Sequence, residues 1–364
     1  MTPSRRRLIR GAAAMAATGL ASGLAKAEGE GLSLKRLAAH RGLLFGCAVE
    51  PEAMDRDSAY ADLVRRQCAM LTPENAMKWN ALRPAADQFD FARADRVVAL
   101  ADAQDAQIHG HCLCWHEAMP DWLKAALTPD NARDLLESHI RLVAGRYAGR
   151  MHSWDVVNEP VERNDHRPDG LRKSPWLEAI GPDYIELAFR WAHEADPSAR
   201  LDLSDYGLEY DGVPWMVEKR ATVLTLLRGL IQRGAPIHAL AIQGHLWGTL
   251  PASFGPGLGD FVSRVADLGL EIYVTELDVS DEKLPGDPAS RDAVVGGLYR
   301  AFLDRMLRHP AVKLVGTWGL SDKYTSKSFF YPRADRQPVR PLPFDAEFRP
   351  KPAAYAMADA FWSG

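Results

Sequence analysis

Trp154-Asp155-Val156-Val157-Asn158-Glu159-Pro160 decides how this chain is read: a strand-like run over 152–157 stops at once in an amide, a carboxylate and a proline. Aromatic and β-branched residues favour extended backbone, and a proline closes it. Seven more runs have the same form, at 43–49, 68–72, 107–115, 200–204, 237–242, 271–275 and 312–317. Several are apolar on both faces, as strands of a parallel sheet covered by helices must be. Between them apolar residues recur at helical spacing, for example Leu135, Leu136, Ile140 and Val143 within 129–147. Similar segments lie at 91–103, 182–195, 213–233 and 292–308. Thr128-Pro129-Asp130 reads as a helix start with proline in the first helical position. Eight strand-like runs separated by helices predict an α/β fold, a single-domain (β/α)8 barrel. A doubly wound open sheet would need a glycine-rich turn after its first strand. Gly46-Cys47-Ala48-Val49 is not one.

The 364 residues are 47% hydrophobic and 25% charged, with ten tryptophans, which is the composition of a chain that buries a core. A net charge of −4 gives no footing for a nucleic-acid binder held by phosphate contacts. The amino terminus differs from the rest. Arg5-Arg6-Arg7-Leu8-Ile9-Arg10 precedes an uncharged Ala/Gly-rich run and then Ala25-Lys26-Ala27. This reads as a twin-arginine-type export signal over 1–27, with the barrel over 28–364. The run is too short and too rich in small residues for a membrane anchor. Removing five basic and no acidic residues takes the net charge from −4 to −9, so the expected product is a mildly acidic exported protein, periplasmic or extracellular and without a membrane contact. Cys47, Cys68, Cys112 and Cys114 read as small buried hydrophobes: the last two sit in one strand-like run, unsuited to a disulfide, and no pair of CxxC motifs offers a zinc site.

In such a barrel the carboxyl ends of the strands build the site. Those ends carry Glu74, Asn75 and Lys78; His111, Trp115 and His116; Asn158 and Glu159; Asp205 and Tyr206; Gln243 and His245; Glu276 and Asp278; and Trp318. Glu159 and Glu276 stand out. Two carboxylates across a cleft lined by Trp, His, Asn and Gln are what glycoside hydrolysis requires: one protonates the leaving oxygen, the other attacks or activates water. Lys78, in a segment facing the barrel mouth, needs a carboxylate or hydroxyl partner, the competing reading being a surface lysine. His245 could donate to Glu276 and keep it ionised, with Asp278 holding the imidazole in turn. The alternative is a core histidine bonded to a carbonyl. Asp155 reads as structural.

The ordered set TPENAMKW (72–79), GHCLCWH (110–116), WDVVNEP (154–160), QGHLW (243–247), TELDV (275–279) and WGLSDK (318–323) resembles the glycoside hydrolase family 10 xylanases. The resemblance runs from Gly46 to FDAEFRPKPAAYAM (344–357). It implies an endo-1,4-β-xylanase acting on xylan or xylo-oligosaccharides with no metal or other cofactor. In it Glu159 is the general acid/base and Glu276 the nucleophile of a retaining mechanism. Glu74, Asn75 and Lys78 would bind the non-reducing side of the substrate, and His111, Trp115 and Asn158 the reacting sugar. Gln243, His245 and Trp318 would complete that wall, Tyr206 would add to the binding surface, and Asp278 and His116 would support it. Two positions depart from the family pattern. Ser326 stands where a second Trp usually roofs the reacting sugar, a gap Tyr324, Phe329 or Phe330 could fill, and Ser204 replaces a customary Asn. Two other readings exist. His109-Gly110-His111 also resembles the zinc-binding H-x-H of amidohydrolase barrels, though that motif belongs after the first strand. A non-catalytic sugar-binding relative is the other, and retention of both glutamates argues against it.

Overall fold

The computed structural model describes residues 31–363; the segment read as an export signal lies outside them. Nine strands follow in order: β1 (Leu44–Val49), β2 (Met70–Pro73), β3 (Gln107–Gly110), β4 (Ser153–Asn158), β5 (Arg200–Asp205), β6 (Ala239–Ile242), β7 (His245–Trp247), β8 (Glu271–Ser280) and β9 (Val312–Thr317). Neighbours run parallel from β1 to β6, β6 pairs with β8 at Leu240↔Ile272, and β9 returns to β1 at Phe45↔Val315. The eight-stranded barrel is therefore closed and has no free edge. The short β7 stays outside this ring and pairs with the end of β8, His245 opposite Asp278.

Helices cover the outside, among them Ala92–Ala103, Ala132–Arg146, Tyr184–Ala195, Pro214–Gln232 and Pro288–Met306. Proline at the first position starts the helices at Pro214, Pro256, Pro288 and Pro352, where its missing N–H costs no hydrogen bond. Met70, Ala239, Ala241, Tyr273 and Leu314 form a small cluster apart from the main core. β2 and β6 are not neighbours, so these side chains meet across the barrel interior. On the side formed by β3, β4 and β5 the barrel is polar, with His109, Ser153, Asp155 and Asp202 fully buried. Gly110 is required there: a Cβ on it would lie 2.1 Å from Cε3 of the buried Trp154 indole. Among the described residues no helix is long and apolar enough to cross a membrane.

Three expectations need correction. The helix expected from Pro129 begins at Ala132, because the Asn131 side chain accepts from the Thr128 N–H (2.8 Å) and closes a turn ahead of it. The third strand ends at Gly110 rather than Trp115, so Cys112 and Cys114 lie beyond it. The seventh barrel strand runs on to Ser280, which puts Glu276 and Asp278 inside β8 rather than after it. All four cysteines are buried, and Cys47 and Cys68 face one another with sulfurs 3.5 Å apart, a neighbourhood the sequence did not announce.

Candidate active site

Glu276 is nearly buried at the mouth of the barrel, near the carboxyl end of β8. Its Oε2 lies 3.1 Å from His245 Nε2, while Oε1 is buried with no protein partner among the described residues. Gly244, at φ +82, turns the chain between β6 and β7 and presents the imidazole to Glu276. His245 Nδ1 meets Asp278 Oδ1 at 3.0 Å. Burial opposes the charge on His245, yet the Asp278 charge and the hydrogen bonds to Asp278 and Glu276 together outweigh it and push the ring up to about 9, Lys327 acting against. His245 is therefore an imidazolium below that pH and donates to both carboxylates. Burial alone would raise Asp278; the His245 and Lys327 charges bring it below the ordinary range.

Glu159 follows β4 and has φ +56, a left-handed conformation that a non-glycine residue adopts only when its surroundings hold it there. Its N–H donates to the Ser204 carbonyl at 2.7 Å. Trp115 Nε1 donates to its Oε2 (3.0 Å) and Gln243 Nε2 to its Oε1 (3.1 Å). The same Gln243 amide reaches Asn158 Oδ1 at 3.1 Å, and its carbonyl accepts the Glu276 N–H at 2.8 Å. One residue thus ties both glutamates to the same wall. Arg172 is the member that the sequence did not disclose. Its Nε donates to the Glu159 carbonyl (2.8 Å), Nη2 donates to the Tyr206 hydroxyl (3.0 Å), and the guanidinium stands 4.0 Å from Glu159 Oε2. An arginine in a loop carries no motif, so nothing in the sequence could have placed it. Tyr206 joins this arginine and Glu162 (2.8 Å) rather than either glutamate. Beneath it Asp205 and Lys219 form a fully buried pair at 2.6 Å.

The opposite wall comes from β2. Lys78 Nζ donates to Asn75 Oδ1 at 2.9 Å, and Asn75 Nδ2 donates to Glu50. The Lys78 ammonium also sits 5.0 Å from the Trp115 ring and 5.6 Å from the Trp318 ring, so it is a cleft lysine held between indoles and not a surface one. Glu74 is pushed up to about 7 by burial first, then by the nearby Glu50 charge, with Lys78 acting against and Glu276 adding to the rise. His111 packs edge-on against Trp318 at 5.1 Å, and His245 does so at 6.3 Å. His116 turns aside to Glu117 (3.2 Å) and meets only the edge of Trp115.

Below this floor, His109 Nε2 (3.1 Å) and His111 Nδ1 (2.7 Å) both reach Asp155 Oδ2. Burial would raise Asp155, but the two imidazoles hold it well below its usual range; burial and the Asp155 charge push Asp202 well above. Asp155, which reads as structural in the sequence, props His111 from beneath.

The aromatic residues near Ser326 have separate surroundings. Tyr324 lies against the Tyr60 ring (4.6 Å), donates to Asp57 (2.8 Å) and borders a small cavity with Glu50 and Glu74. Phe329 and Phe330 are 81% and 66% exposed. The half-buried Ser326 borders Glu74, and Lys327 beside it turns inward to Asp278 at 3.2 Å.

Residues 33–360 match the family described as glycosyl hydrolase family 10. A β-1,4-xylanase of Dictyoglomus thermophilum is 37% identical over 308 residues, 82% of this chain and 83% of that protein. The native xylanase 10B of Thermotoga maritima superposes with a TM-score of 0.82 at 33% identity, over 91% of this chain and 98% of its own. Xylanase 10B of Thermotoga petrophila RKU-1, solved with xylobiose, gives 0.81 at 32% identity over 92% and 98%.

Proposed function

The chain belongs to glycosyl hydrolase family 10, and on that premise we propose that it is an endo-1,4-β-xylanase working by double displacement. The observation that supports this most is the pair of glutamates tied through Gln243, one with its carboxylate hydrogen-bonded by Trp115, the other by His245.

Glu276 attacks the anomeric carbon with one carboxylate oxygen while Glu159 gives its proton to the departing glycosidic oxygen. The glycosyl–Glu276 ester forms as the old C–O bond breaks. Water then attacks the anomeric carbon: its oxygen forms the new C–O bond, Glu159 takes its proton, and the C–O bond to Glu276 breaks with Glu276 released as a carboxylate. The His245 imidazolium, donating to Oε2, orients that carboxylate before attack and stabilises it as a leaving group afterward. Asn158 and Lys78 offer hydrogen bonds to sugar hydroxyls, and Trp115 and Trp318 offer apolar faces to the sugar rings.

The assignment of roles is tested by Glu276→Ala. Turnover should nearly vanish, and azide should restore it with an α-configured glycosyl azide as product. A β-configured azide would reverse the two roles. Export fits a polymeric substrate that does not enter cells, and the amino terminus of the exported protein should then be Glu28.

A further inference from the structure

We propose that Lys327 is a positioning residue for the nucleophile, acting on Glu276 through Asp278 and His245. This rests on the reading of Glu276 as nucleophile. Four charges stand in a row. Lys327 Nζ lies 3.2 Å from Asp278 Oδ2, Asp278 Oδ1 3.0 Å from His245 Nδ1, and His245 Nε2 3.1 Å from Glu276 Oε2. Asp278 is wholly buried and the Lys327 side chain only 12% exposed. A lysine ordinarily keeps its head in water. This one is turned inward, its ammonium also 5.0 Å from the Tyr331 ring.

The row has a consequence for the second half of the reaction. With Glu276 and Asp278 ionised and His245 and Lys327 protonated, it is neutral. When Glu276 becomes the glycosyl ester its charge is lost and the row carries +1. That uncompensated positive charge favours the departure of Glu276 as a carboxylate, which is the second step. Without Lys327 the row runs from −1 to neutral, and this help is gone. Asp278 would then answer to His245 alone and hold the Nδ1 proton on the ring more firmly, which makes the Nε2–H a weaker donor to Glu276.

The groups around His245 are few. Glu276 and Asp278 face it from β8 and Lys327 from the segment after β9. Glu209, beyond β5, holds the Gly244 N–H at 3.1 Å and adds a carboxyl. Tyr299 faces Asp278, and Glu74 and His111 face Glu276. Lys327 is the cation of this set other than His245 itself, so its loss must make His245 easier to protonate.

The experiment compares Lys327→Met and Lys327→Gln with Lys327→Arg in the full chain. Nitrogen-15 NMR of labelled histidine follows the His245 ring, assigned by its disappearance in His245→Asn. The titration point should move to higher pH in both neutral variants and return with Arg. Kinetics on an aryl xylobioside with a good leaving group remove the need for Glu159 as acid and make the second step limiting. There kcat should fall about tenfold in the neutral variants, with KM falling in parallel so that kcat/KM changes little. Arginine should restore kcat. An unmoved His245 titration, or a fall in kcat/KM as large as that in kcat, overturns the proposal. The titration needs no substrate, so inactivity of the wild-type protein on xylosides would overturn the functional reading and leave Lys327 to be judged by NMR.

Discussion

Replacing Glu74 by Gln should stabilise the protein at neutral and alkaline pH while weakening its hold on substrate. Glu74 is 8% exposed and faces Glu50 and Glu276, with Lys78 its nearest opposing charge. Burial and these neighbours raise it from 4.5 to about 7, which at about 1.4 kcal/mol per pH unit is roughly 3 kcal/mol against the charged form. The folded state binds this proton more tightly than the unfolded chain. The group's contribution to stability is therefore fully present below pH 4.5 and is lost as pH rises through 7. Glutamine carries no such charge. The two proteins should be equally stable at pH 4, and the variant should gain progressively to roughly 3 kcal/mol by pH 8. Urea unfolding between these limits measures the difference. A gain that does not vary with pH, or a loss at pH 8, would refute the argument that this carboxylate is held against its own charge. In the same samples kcat/KM on short xylo-oligosaccharides should fall, since the glycone wall loses an acceptor for sugar hydroxyls. The site would then be keeping a destabilising charge for binding.

Ser326→Trp should raise kcat/KM on linear xylo-oligosaccharides and lower it on branched or bulky-aglycone substrates, because an indole restores about 150–250 Å² of wall over the reacting sugar. If both rise or fall together, the pocket is not open there. Gly110→Ala should destabilise by about 1–3 kcal/mol or more, because its Cβ would press 2.1 Å from the Trp154 ring; a melting curve matching the wild type would show that the indole can shift. A crystal structure should place the Glu159 and Glu276 carboxyl groups about 5–5.5 Å apart, whereas a gap of about 6.5–9.5 Å would mean inversion and no covalent intermediate.

Much of the site was legible because it is local. A strand end brings its last side chains to the barrel mouth, so WDVVNEP and TELDV could be read from their own residues. The boundaries were less legible. The sequence cannot tell that β3 stops at Gly110 or that β8 runs on to Ser280, since those limits depend on which neighbouring strand supplies hydrogen bonds. Ser326 marked a missing wall, but its neighbours did not announce that Tyr324 would pack down onto Tyr60 or that Phe329 and Phe330 would face solvent.

The sequence by itself pointed to the eight-stranded barrel and to Glu159, Glu276, His245 and Asp278 as strand-end candidates, because periodicity and strand-end chemistry are properties of short segments. Which charges meet was decided by the tertiary structure. Arg172 comes to Glu159, Lys327 to Asp278 and Lys219 to Asp205 only because folding lays the segments that follow the strands back against the strand ends. A lone charge in a loop looks the same in sequence whether it ends in water or against a buried carboxylate. Burial separates the two cases, and burial exists only once the chain has folded.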